Sequence, residues 1–288
     1  MDLSKNTIGG VKQYIAQKLK DLYSESEIAV IQQQLIQKNY GLTAAQQFLE
    51  QEKRISESEI LKTVFAIREM EKGKPLQYVL GDAEFYGFTF LVNENVLIPR
   101  PETEELCSWI IDSVQNKAAS ILDIGTGSGC IPITLKLELP EADITGCDVS
   151  SKAMDIAIEN AGLNQASVNW LELDILSEDD PFNENEFDII VSNPPYVLEK
   201  DKSKMETNVL DFEPHIALFV KDNDPLLFYR VIAEKAKQWL KPEGNLFFEI
   251  HESLGKQTLK LLTELGYVNL ELRKDLSGRD RMIKAVLS

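Results

Sequence analysis

The sequence predicts an α/β protein: a doubly wound parallel sheet preceded by a small all-helical domain and a linking β-hairpin. Three observations predict it. From Ser120 onward, short apolar runs alternate with segments of helical period. A glycine loop, Gly125-Thr126-Gly127-Ser128-Gly129, separates the first such run from the first such helix. The residues before Pro75 carry helical spacing and paired helix punctuation throughout.

Taken in order, Val11, Ile15, Leu19 and Leu22 recur at helical spacing, as do Ile28, Ile31 and Leu35. Ser24 with Glu27, and Ser56 with Glu59, mark helix starts, because a serine followed three residues later by glutamate can cap reciprocally. Tyr40-Gly41 and Gly73-Lys74-Pro75 mark stops. Residues 1–74 are therefore expected to be a helical bundle, serving as a packing appendage or as a docking module. Glu84 to Val92, aromatic with a central glycine, is read as a hairpin within a linker of residues 75–100. In Leu97-Ile98-Pro99-Arg100-Pro101, two prolines bracket Arg100 and fix its direction, so the loop is expected to shape a pocket wall. Pro101 suits the first turn of a helix running to about Asn116, within a domain of residues 101–288.

Strands are expected at Ile121–Ile124, Ile144–Cys147, Val168–Leu173, Phe187–Val191 and Asn245–Ile250, with helices at Cys130–Glu138 and about Ser151–Ala161. Ligands of such sheets bind beyond the carboxyl ends of the strands. Four segments converge there: residues 125–129, Asp148, Asp174 and residues 193–196.

The glycine loop narrows the ligand. A dinucleotide fingerprint wants glycine or alanine at the sixth position of G-x-G-x-x-G, and Cys130 stands there. Pyrophosphate is disfavoured, while alternating glycines still admit a ligand close to the backbone. Asp148, 19 residues beyond Gly129, is placed to accept both hydroxyls of a ribose. Asp174 is placed to meet an adenine edge.

After the run Phe187–Val191 comes Ser192-Asn193-Pro194-Pro195-Tyr196, where the two prolines end the strand and hold the chain extended. The Asn193 side-chain oxygen and the Pro194 carbonyl can each take one hydrogen of a planar NH2 group, with the Tyr196 ring as a stacking face. A nucleoside site without pyrophosphate, beside an NH2 holder, points to S-adenosylmethionine and methyl transfer to nitrogen. The sheet is thus expected to be a Rossmann-like S-adenosylmethionine-dependent methyltransferase sheet.

Composition excludes other classes. No apolar run approaches a membrane span, and Met1-Asp2-Leu3-Ser4-Lys5 lacks a signal-peptide core. Cys107, Cys130 and Cys147 are scattered, so reduced buried thiols in a cytoplasmic protein are expected, with no metal site. The net charge of −17 is uneven: residues 1–80 carry 11 Lys+Arg against 10 Asp+Glu, and the remainder 19 against 37. Nucleic acid attracts basic surfaces, so direct nucleic-acid binding is not expected. Methylation of an exocyclic amine on adenine or guanine in RNA or DNA is the alternative function, and a non-catalytic module retaining the cofactor fold is a third.

The chain resembles the peptide-chain release factor glutamine methyltransferases along nearly its whole length. The likeness is carried by Pro75-Leu76-Gln77-Tyr78, Phe85-Tyr86-Gly87, Leu97 to Glu104, Asp123 to Gly129 and Asn193 to Tyr196. Glu213 to Leu218 and Asp275 to Arg281 extend it. The resemblance implies S-adenosylmethionine bound at Gly125, Thr126, Gly127, Ser128, Gly129, Asp148, Asp174, Ile175 and Asn193, and chemistry at Asn193, Pro194, Pro195 and Tyr196. It implies, as substrate, the glutamine of a Gly-Gly-Gln loop on a release factor, docked with help from the N-terminal bundle and acting in translation termination. A monomer is expected. Ile175 stands where some relatives have an aromatic residue by the adenine, and His251-Glu252 stand where many have glycine.

Overall fold

A computed structural model describes residues 6–205 and 207–288; the opening Met1–Lys5, on which the expectation about a signal peptide rested, lies outside them. The helices run α1 Ile8–Leu19, α2 Glu25–Tyr40, α3 Ala44–Leu49, α4 Glu57–Glu71 and α5 Leu76–Leu80. Ser24 and Ser56 each close a reciprocal capping box with Glu27 and Glu59. Thr43 and Gln46 form a third box that starts α3. Gly41 ends α2 in the left-handed conformation, φ 68°. Ile8, Val11, Ile15 and Leu19 of α1 pack with Ile31 and Leu35 of α2 and with Ile60 and Ile67 of α4 in one apolar core.

The chain continues with β1 Asp82–Phe85, β2 Phe88–Leu91, α6 Pro101–Ser113, β3 Ser120–Ile124, α7 Cys130–Glu138, β4 Asp143–Asp148 and α8 Ser151–Asn164. Then come β5 Asn169–Glu172, β6 Phe187–Ser192, β7 Val197–Leu198, α9 Thr207–Phe212, α10 His215–Leu218 and β8 Phe219–Val220. The chain closes with α11 Leu227–Trp239, β9 Leu240–Glu249, α12 Gly255–Glu264, β10 Tyr267–Lys274 and β11 Asp280–Leu287. By contacts the chain forms two compact units: one runs to Gly81 and includes α9, and the other is Asp82–Met205 with Glu213–Ser288.

In the second unit, β1 and β2 pair as an antiparallel hairpin whose turn, Tyr86-Gly87, has φ of 53° and 77° at its two residues. Phe85 and Phe90 of the hairpin join the core between α6, α7 and the sheet. The sheet has seven strands in the order β10-β11-β9-β6-β3-β4-β5. Contacts among β5, β4, β3, β6 and β9 are all parallel. The pairs β9-β11 and β11-β10 are antiparallel, so the all-parallel expectation is corrected at this edge. Both faces of the sheet are covered: Ile121, Ile189 and Phe247 face α6 and α7, while Leu122, Ile190 and Leu246 face α11.

The three cysteines are free and buried. Among the described residues no helix is long and apolar enough to cross a membrane.

Candidate active site

Parallel register builds the site. Ile124 of β3 pairs with Cys147 of β4 on one side and Ser192 of β6 on the other, so Gly125, Asp148 and Asn193 leave the sheet side by side. The Leu173 amide donates to the Asp148 carbonyl at 2.9 Å, which brings Asp174 level with them. A cavity of about 280 Å³ opens over these strand ends. Gly125, Thr126, Gly127, Ser128, Asp148, Asp174, Ile175, Asn193, Pro194 and Pro195 all line it.

Gly129 does not line the cavity. Its φ is +79°, and a Cβ there would meet Ile133, Ala157 and Trp170 at 3.0–3.1 Å. It is a packing glycine that seats the start of α7. Gly127 stands on the ligand side: its amide donates to Asp148 Oδ2 at 2.8 Å, and a Cβ there would touch nothing within 4 Å. The Ser150 amide donates to Asp148 Oδ1 at 2.9 Å. Burial raises the Asp148 carboxyl above its ordinary range, against the pull of these amides. Each oxygen keeps acceptor capacity for a hydroxyl, as the ribose reading requires. Asp174 Oδ1 accepts from the Leu176 amide at 2.9 Å, which fixes the turn carrying the buried Ile175.

Asp123 was not singled out by the sequence reading. It is fully buried beside the glycine loop, and neither carboxylate oxygen meets a donor at full hydrogen-bond geometry among the described residues, the Thr126 hydroxyl being the donor that faces it. Desolvation, with the Asp148 charge adding to it, pushes its carboxyl up to about 7. Thr126 Oγ1 is buried beside it, and its hydroxyl pulls the carboxyl down against that push. An uncompensated acid here suits a cationic ligand such as the sulfonium and ammonium groups of S-adenosylmethionine. The one signal in the sequence was an aspartate inside an otherwise apolar strand.

Pro99, Arg100 and Thr103 form one wall, as the bracketing prolines led us to expect. Pro214, Ile216 and Ala217 form another, and Arg100 Nη2 lies 2.5 Å from Glu213 Oε1. Phe228 and Ile232 of α11 add apolar surface that helical periodicity marks only as core.

The stacking face expected of Tyr196 is corrected. Tyr196 is not among the cavity-lining residues; its hydroxyl donates to Glu249 Oε1 at 3.2 Å and its ring lies edge-on to His251. The cause is Glu249, 1% exposed and in need of donors at both oxygens. Thr103 supplies the other, its hydroxyl 2.6 Å from Oε2. Burial raises the Glu249 carboxyl, against the Thr103 hydroxyl and the Arg281 charge. Neither Thr103 nor Glu249 was legible as part of the site, since they meet across 146 positions of chain. His215 packs against Phe219, Arg281 pairs with Asp275 at 3.1 Å, and Trp239 is core.

Comparison with known proteins identifies relatives of the chain. Residues 11–81 match the PrmC N-terminal domain family and residues 106–211 the Methyltransferase small domain family. The chain is 44% identical over 283 residues to the release factor glutamine methyltransferase of Flavobacterium psychrophilum, covering 95% of this chain and 98% of that one. It is 40% identical over 275 residues to the protein of the same name from Bacteroides thetaiotaomicron, covering 96% and 98%. Among solved structures, a methyltransferase from Pyrococcus furiosus superposes with a TM-score of 0.53 at 16% identity, over 71% of this chain and 91% of that one. That likeness concerns the fold.

Proposed function

The chain belongs to the release factor glutamine methyltransferases, and on that premise we propose that it transfers a methyl group from S-adenosylmethionine to the side-chain amide nitrogen of the glutamine in the Gly-Gly-Gln loop of peptide-chain release factors. In doing so it would act in the cytoplasm, as a monomer, on translation termination. The observation that carries this reading is the side-by-side exit of Gly125, Asp148 and Asn193 from three adjacent parallel strands into one cavity.

Bound there, S-adenosylmethionine supplies an electrophilic methyl on a sulfonium sulfur. The glycine loop with Asp148, Asp174 and Ile175 would hold its nucleoside, and Asp123, its carboxyl pushed up to about 7, would be drawn into its charged form by the cofactor's cationic groups. Asn193 Oδ1 and the Pro194 carbonyl each accept one hydrogen of the substrate amide. Pro195, with Pro194, keeps that turn extended. An amide nitrogen is a weak nucleophile because its lone pair is delocalised into the carbonyl. Two acceptors fixed on its hydrogens favour the geometry in which positive charge develops on nitrogen, and alignment in the cavity does the rest. No ionisable side chain lies within Asn193-Pro194-Pro195-Tyr196 except the tyrosine turned to Glu249, so the proton leaves after transfer through a carbonyl or water. The helices of residues 1–74 dock the factor, the segment 75–100 links, and residues 101–288 carry the chemistry. The acidic balance of residues 81–288 opposes the nucleic-acid alternative.

Mass spectrometry of a release factor incubated with the protein and S-adenosylmethionine tests the reading. One added methyl on the loop glutamine is expected, absent with Asn193→Ala and absent from a factor whose glutamine is replaced. A modified site elsewhere on the factor, or none with the cofactor bound, overturns it.

A further inference from the structure

Asn193 can take an amide hydrogen only if its oxygen, and not its NH2 group, faces the cavity. Rotation about its last side-chain bond exchanges the two at almost no change in shape, so something must choose between them. Thr103, 3% exposed, stands beside it on the cavity wall, with Glu249, 1% exposed, behind Thr103. Asn193 Nδ2 is 3.4 Å from Thr103 Oγ1, and Thr103 Oγ1 is 2.6 Å from Glu249 Oε2. Tyr196 donates to the other Glu249 oxygen at 3.2 Å.

We propose that Thr103 and Glu249 are positioning residues that set the Asn193 amide with its oxygen toward the substrate. The polarity of the chain dictates the direction. Glu249 Oε2 accepts from Thr103 and Oε1 from Tyr196. Thr103 has one proton, and the 2.6 Å contact commits it to Glu249. The oxygen of Thr103 can then only accept from Asn193, which must present its NH2 group. The planar amide places its oxygen on the other side, toward the cavity that Asn193, Pro194 and Thr103 line. Tyr196 takes part by occupying the second oxygen of Glu249, which leaves the first to Thr103. In the flipped state, the Asn193 NH2 group would confront the substrate's own donors, a repulsive pairing of two donors where an acceptor is required.

This inference rests on the reading that Asn193 holds the substrate amide, and the test separates the two. Single-turnover methylation of a release factor is measured for the wild type, Asn193→Ala, Thr103→Val, Thr103→Ser, Glu249→Gln and the double variant Thr103→Val/Glu249→Gln. S-adenosylmethionine affinity is measured by calorimetry on each. The expected result for Thr103→Val, nearly isosteric but without the hydroxyl, is a fall on the order of tenfold in the methyl-transfer rate, the scale of one misplaced hydrogen bond. Cofactor affinity stays within about twofold, and Thr103→Ser restores most of the rate. Glu249→Gln slows transfer in the wild-type background and adds nothing once Thr103 is valine, because its effect passes through the hydroxyl. Full activity of Thr103→Val beside an inactive Asn193→Ala overturns the inference and leaves the parent reading standing. Equal losses for Glu249→Gln in both backgrounds also overturn it. Full activity of Asn193→Ala overturns the parent reading itself.

Discussion

Arg100 Nη2 lies 2.5 Å from Glu213 Oε1, joining positions 113 apart in sequence across the wall of the cavity. The Glu213 side chain is 1% exposed and its second oxygen has no partner among the described residues, whereas the Arg100 side chain is 32% exposed. The pair fastens the segment bearing Pro214, Ile216 and Ala217 to the proline-bracketed loop. Arg100→Ala strands a buried carboxylate, and the expected cost is about 2 kcal/mol, below the ~3–5 kcal/mol of a wholly buried pair because the guanidinium is partly solvated. Because the loss falls on a cavity wall, KM for the release factor rises too. Denaturant titration with steady-state kinetics checks both. Glu213→Gln, which keeps an acceptor for Arg100, is expected to lose less on each measure.

The buried Asp123 gives stability a defined pH dependence. Its ordinary value is 3.8 and its folded value about 7. Below pH 4 the carboxyl is neutral folded and unfolded. Between about pH 4 and pH 7 the unfolded chain releases the proton that the folded chain retains, so stability falls as pH rises and levels off above 7. The full contribution is on the order of 4 kcal/mol. Asp123→Asn removes it: relative to the wild type, the variant gains stability from pH 4 to pH 7, read as the difference between their urea midpoints. Parallel midpoints across that range would show that Asp123 is not the titrating group.

Asp148 caps Gly127 and Ser150 and, on the proposed reading, would also accept from the cofactor. Asp148→Asn turns an NH2 group onto a backbone donor and also deprives the ribose of an acceptor. Charge-assisted bonds contribute roughly 1.5–3 kcal/mol each, so the Kd for S-adenosylmethionine should rise on the order of 100-fold. Asp174→Asn keeps an acceptor for Leu176 and should raise it less. Calorimetry on both variants settles the order.

Two glycines near the loop should fail in different ways. A Cβ on Gly146 would lie 2.6 Å from the Trp170 ring and 3.1 Å from Thr126 Oγ1, so Gly146→Ala should cost ~1–3 kcal/mol of stability by overpacking. Gly125 has φ +77° with nothing within 4 Å of a Cβ, so Gly125→Ala should cost about 1–2 kcal/mol of backbone strain and weaken cofactor binding. Urea midpoints paired with cofactor affinity distinguish the two outcomes.

The helices α1, α2 and α4 were legible because their signals are local: Ser24, Ser56 and Gly41 act on residues within one turn. The end of β6 was equally legible, since Pro194 and Pro195 cannot continue a ladder. The hairpin of β10 and β11 was not. In Tyr267–Lys274 and Asp280–Leu287, charged residues fall among the apolar ones, and only the pairing of β11 with β9 makes them part of the sheet. β10, at the edge with one partner, carries a weaker apolar pattern, and β11 between β10 and β9 is recognised only through those pairings.

By itself the sequence determined the alternation of strands and helices from β3 to β6, the glycine loop, and the residues that leave the strand ends, because periodicity and turn chemistry are written over a few neighbouring positions. Only the tertiary structure decided what those residues face. Gly129 became packing and Tyr196 turned to Glu249, while Thr103 was drawn in beside Asn193 and Asp123 was buried without an ion-pair partner among the described residues. Each outcome depends on which distant group lies within 3 or 4 Å, and no local spacing records that. The physical reason is the demand of buried polar groups for partners, which is met across the fold rather than along the chain.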